Sequence, residues 1–94
     1  MDVSQINRFK AYLNMPRLRP KELRESPKIF FQVPIKPDYY QWISSLFLND
    51  KNELMVEIIM DPDIYFHRRL RDIPQHLINK IENEILNKAL YGNN

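Results

Sequence analysis

A single glycine, Gly92, in a chain of 94 residues decides much of what this sequence can fold into. Backbone that must turn through positive φ, or approach a phosphate closely, ordinarily relies on glycine. Glycine-rich phosphate loops and dinucleotide-binding fingerprints are therefore excluded. Turns fall instead to asparagine, aspartate and proline, in "NDKN" at 49–52 and in Asp61-Pro62-Asp63. The lone glycine follows the last apolar-periodic segment, where a left-handed helix C-cap belongs. Cysteine is absent too, which rules out disulfides and thiolate metal sites and suits an intracellular setting.

Length and hydropathy narrow the class further. A chain of 94 residues makes one domain, burying roughly two-thirds of its unfolded surface in a single core. With 44% hydrophobic and 28% charged residues it can fill that core, so wholesale disorder is not expected. Apolar runs such as "IFF", "LFL" and "IIM" are too short for a membrane span or a signal peptide. Abundant Asn, Ile, Lys and aromatic residues give the composition of compact proteins from A+T-rich genomes, viral ones included.

Periodicity places the elements. Asp2 and Gln5 form a capping-box pattern, and Ile6, Phe9, Tyr12 and Leu13 follow at helical spacing, predicting a helix over 1–14. Residues 15–28 carry Pro16, Pro20 and Pro27 and read as a stiff basic arm. "KIFFQVPI" (28–35) is a strand that Pro34 either confines to a sheet edge or ends. "NELMVEIIM" (52–60) is the clearest strand, with Leu54, Val56, Ile58 and Met60 sharing one face. Residues 37–48 carry two patterns. Tyr39, Ile43, Leu46 and Phe47 make a helical stripe, whereas Trp42, Ser44, Leu46 and Leu48 alternate as a strand that "NDKN" turns into the next. The helix is preferred for the first half. "IYFHRRL" (64–70) reads as a strand with Ile64, Phe66 and Leu70 on one side, although Phe66, Leu70 and Ile73 also fit a helical spacing. Asp72 is placed to cap a C-terminal helix over 74–91, striped by Leu77, Ile78, Ile81, Ile85 and Ala89. The expected fold class is α+β: a small, mainly antiparallel sheet spanning 28–73, with an N-terminal and a C-terminal helix packed on it.

Chemistry is sparse. His67 and His76 lack a partner at metal-ligand spacing, so no metal is expected. Ser44, His67 and Asp61 supply the residue types of a hydrolytic triad without any supporting local motif. "PD" at 37–38 starts a nuclease-like pattern, but Glu57 is followed by two isoleucines and the required lysine is missing. Neither enzymatic activity nor a cofactor is expected.

Charge is the stronger signal. Net charge is +2, yet residues 1–36 sum to +5, 37–66 to −5 and 67–94 to +2. Arg17, Arg19, Lys21, Arg24 and Lys28 crowd the arm, and Arg68, Arg69 and Arg71 form a second cluster. Arginine dominates both, favouring bidentate contacts to carboxylate or phosphate. These eight residues are the candidate partner-binding set, with Tyr39, Tyr40 and Trp42 as candidate aromatic contacts. The function expected is a non-enzymatic, regulatory or inhibitory module docking on an acidic surface of a larger protein. The competing reading is a small nucleic-acid-binding protein. Apolar residues Leu86 and Leu90 widen the last helix's stripe and offer a seam for a homodimer.

Overall fold

The computed structural model describes residues 1–15, 27–35, 41–61 and 63–91. The elements are α1 (Val3–Leu13), β1 (Lys28–Pro34), β2 (Trp42–Leu48), β3 (Leu54–Asp61), β4 (Ile64–Arg69), a 3₁₀ turn (Leu70–Asp72) and α2 (Gln75–Tyr91). The four strands form one antiparallel sheet in the order β1-β2-β3-β4. The expected α+β class holds. None of the described helices is long and apolar enough to cross a membrane.

Each element follows from local chemistry. Asp2 Oδ1 accepts from the Gln5 backbone amide at 2.7 Å and caps α1. The Gln5 side chain does not return to Asp2; it reaches across to Asn79 and Glu82 of α2. Between β2 and β3, Asn49 Oδ1 accepts from the amides of Lys51 and Glu53, both at 2.9 Å. Asn52 takes the left-handed conformation (φ 63°) that glycine usually fills and asparagine tolerates.

Register divides the sheet into two faces. On one face Ile29, Leu46 and Val56 stand in a row, as do Val33, Ile43 and Ile58. These six residues join Phe9 and Leu13 of α1, Leu70, Ile73, and Leu77, Ile78, Ile81 and Ile85 of α2 in one buried core. The opposite face carries the rows Lys28–Phe47–Met55–Arg69 and Phe30–Ser45–Glu57–His67. The Ser45 hydroxyl is buried there with no hydrogen-bond partner. Removing an unpaired buried hydroxyl relieves its desolvation cost, so Ser45→Ala is expected to raise stability by about 1 kcal/mol in urea unfolding.

Three expectations change. Residues 42–48 are strand, not helix, while 37–40 lie outside the described residues. The reason is a bulge between Ile43 and Ser45, which puts Ile43 and Leu46 on the same core face three positions apart. That spacing imitates a helical stripe. Asp72 does not cap α2, which begins at Gln75: its carboxylate instead accepts from Arg69 Nε at 3.0 Å. Met60, expected on the core face of its strand, is exposed beside the shift in register between Ile59 and Asp61. The C-cap expected at Gly92 lies outside the described residues.

Candidate functional site

The second basic cluster sits at a sheet edge. Among the described residues β4 pairs with β3 alone, and five of its six residues are exposed. Strand alternation sends His67 and Arg69 to the open face and Arg68 to the helix side, while Arg71 follows in the 3₁₀ turn. Arg68 occupies the position at which the core row Ile29–Leu46–Val56 reaches the edge. Its guanidinium makes no ion pair with Asp61 or Glu57 among the described residues. It lies over the Phe66 ring, 5.1 Å from the centroid. Both faces of this edge are therefore basic.

The end of β4 opens into a cleft of about 180 Å³. Arg69 and Arg71 line it with Lys10 from α1, over an apolar floor that includes Ile6 and Leu54. Glu53 is the carboxylate in the lining. A hydrogen bond from Asn49 holds that carboxyl below its usual range; partial burial opposes, and the charges of Arg69, Lys51 and Arg71 reinforce the shift. Glu53 is thus ionised, and three cations face one acid. Lys10 and Arg71 make no ion pair among the described residues, while Arg69 shares its charge with Asp72. Such a cleft presents donors to a carboxylate or phosphate and apolar surface to whatever carries it.

Lys28 stands elsewhere. It is on β1, three strand spacings from Arg69 along one row, or about 14 Å. Its ammonium is 5.4 Å from the centroids of both Phe30 and Phe47 and 4.0 Å from Glu57 Oε2. Glu57 joins three strands on this face. It accepts from Ser44 Oγ at 3.1 Å and is hydrogen-bonded to His67 Nε2 at 3.2 Å. Burial pushes its carboxyl up, but His67, Lys28 and Ser44 together pull it below the usual range. Ser44 and His67 both engage the acid rather than each other, and Asp61 is exposed at the far end of β3. This is not the serine-to-histidine-to-acid relay that a triad requires. Among the described residues, no three His, Asp or Glu side chains converge as metal ligands.

Of the remaining candidates, Arg17, Arg19, Lys21, Arg24, Tyr39 and Tyr40 lie outside the described residues. Trp42 is partly buried, paired with Pro34 and Ile59. Sequence reading missed Lys10, which lies outside both basic clusters in sequence, and Tyr65, which is 65% exposed on the edge strand. The fold and its site define a small α+β domain with helices on one face of a meander sheet and a basic outer edge. No family model matches the chain, and searches of curated proteins and solved structures find no match either.

Proposed function

We propose that this chain is a non-enzymatic docking module that binds an acidic surface of a larger protein and thereby regulates or inhibits it. The observation that carries the reading is the basic edge and its cleft: exposed Arg68, with Arg69, Arg71 and Lys10 around an apolar floor. Arginine forks fix the orientation of carboxylates, and apolar contact supplies affinity that salt does not screen. The cysteine-free sequence supports an intracellular setting.

A protein partner is favoured over nucleic acid by how the charges are interspersed. Arg69 is paired with Asp72, Lys28 and His67 lie on Glu57, and Glu53 stands in the cleft. A polyanion that gains affinity by counterion release needs a track of unpaired cations, which carboxylates at this spacing interrupt. The basic arm over 15–28 belongs to the same proposal as an additional contact with the acidic partner.

The test is fluorescence anisotropy with a labelled glutamate-rich peptide and labelled single-stranded and duplex oligonucleotides of matching length, across a salt series. The peptide is expected to bind with a shallow salt dependence and the oligonucleotides weakly. Tighter oligonucleotide binding, with a log–log salt slope of about −3 or steeper, transfers the function to nucleic-acid binding. Absence of peptide binding at about 50 mM salt rejects the docking reading.

A further inference from the structure

We infer that β4 is an addition site for an extended acidic segment of the partner, which joins the sheet as a fifth, antiparallel strand. This inference rests on the docking reading above and specifies how the partner is held.

The two edges of the sheet differ. β1 carries Pro34, which has no amide to donate, and a shift in register between Phe30 and Val33. α2 lies against it, and the Lys88 ammonium donates to the Phe30 carbonyl. These features blunt a strand edge against pairing. β4 has no proline within Ile64–Arg69 and has a strand on one side only, among the described residues. Its unpaired row of backbone donors and acceptors is the kind of edge that strand addition uses.

Charge then selects the occupant. Side chains of successive residues alternate between faces, so Arg68 on one face and Arg69 with His67 on the other meet acids on both faces of an incoming strand. A second copy of the chain, laid antiparallel, sets its Ile64 and Tyr65 rather than acids opposite Arg69 and Arg68 and leaves those cations unmatched. Ahead of these cations, Ile64 and Tyr65 are 54% and 65% exposed and offer apolar cross-strand contacts. In antiparallel register the added segment therefore reads acidic first and apolar after. Its leading carboxylates approach the Lys10–Arg69–Arg71 cleft at the end of β4.

The probe is a blocked peptide of three glutamates followed by valine, tyrosine and valine, compared with two versions N-methylated at its odd or its even residues. In an added strand only alternate amides face the host edge. One methylated version is expected to lose at least about tenfold in affinity, and the other to bind like the parent. The β4 amides should gain protection in hydrogen exchange when the parent is bound. Equal affinity of both methylated versions overturns strand addition while leaving docking in place. So does failure of the parent to bind when the longer glutamate-rich peptide succeeds. Failure of both acidic peptides overturns the docking reading as well. Protection of β4 without peptide, rising with protein concentration, overturns the inference by naming a second copy as the occupant.

Discussion

Glu82→Ala is expected to lower the free energy of unfolding by about 2 kcal/mol, and the melting temperature by roughly 10 °C. The Glu82 side chain on α2 is 12% exposed and collects donors from three residues of α1. Arg8 contributes Nε at 2.8 Å and Nη2 at 3.1 Å, Tyr12 its hydroxyl at 2.6 Å, and Gln5 its amide at 3.3 Å. Gln75 and Asn79 extend this network along α2. An exposed ion pair is worth at most about 1 kcal/mol, because water competes for both partners. A carboxylate shielded this far and bonded this often lies above that range. Deleting it leaves the Tyr12 hydroxyl and the Gln5 amide without their acceptor. Arg8 is half exposed and recovers water, which keeps the loss near 2 rather than the 3–5 kcal/mol of a fully buried pair. Since small domains hold about 5–15 kcal/mol in all, the change is readily measured in urea. A loss below about 0.5 kcal/mol reduces the network to ordinary surface pairing.

The same cluster predicts a pH dependence. Hydrogen bonds from Arg8 lead in lowering the Glu82 carboxyl from 4.5 to about 2; partial burial opposes, and bonds from Tyr12 and Gln5 assist. The folded state therefore binds this proton less readily than the unfolded chain. The stabilisation is complete above pH 4.5 and is lost as pH falls from there towards 2. Glu82→Gln, which keeps the shape without the charge, is expected to flatten the acid limb of the stability curve in this window.

How far the sequence announced this arrangement depends on which interactions shape each element. Local ones were readable. Asp2 capping α1, Pro34 confining β1 to an edge and the alternation of Leu54, Val56 and Ile58 each follow from a few neighbouring residues. The bulge at Ser44 was not, because an extra residue changes the spacing of core side chains from two to three without any composition signal. Asp72 was misassigned because a nearby arginine and the helix start compete for the same carboxylate, and only geometry decides between them. The Glu82 network links residues 70 or more positions apart, beyond the reach of periodicity. At the site, Arg68, Arg69 and Arg71 were visible as a cluster. That a strand edge splits them between faces, and that Lys10 joins them while Lys28 stands three strands off, required the register and the docking of α1.

Reversing two charges of the cleft, in Lys10→Glu with Arg71→Glu, is expected to weaken binding of the glutamate-rich peptide by about thirtyfold to a hundredfold. Two unit charges about 4 Å apart in water interact by about 1 kcal/mol, and reversing a sign converts that attraction into equal repulsion. Two reversals therefore amount to about 4 kcal/mol, which screening at physiological salt trims to roughly 2–3. The fold should survive with a loss of about 1 kcal/mol, because neither side chain belongs to an ion pair among the described residues, while the new carboxylates stand near Glu53 and, for Lys10→Glu, in the last turn of α1. Lys80→Glu separates docking from overall charge. Lys80 is exposed on α2 and lines a different cleft, with Gln32 and Glu84, and its reversal changes net charge by as much as Arg71→Glu alone. If the cleft receives the carboxylates, Arg71→Glu weakens binding by about tenfold and Lys80→Glu by less than about twofold. Equal losses from the two single variants mean that net charge steers the peptide without a defined seat, and the cleft then ceases to be the site.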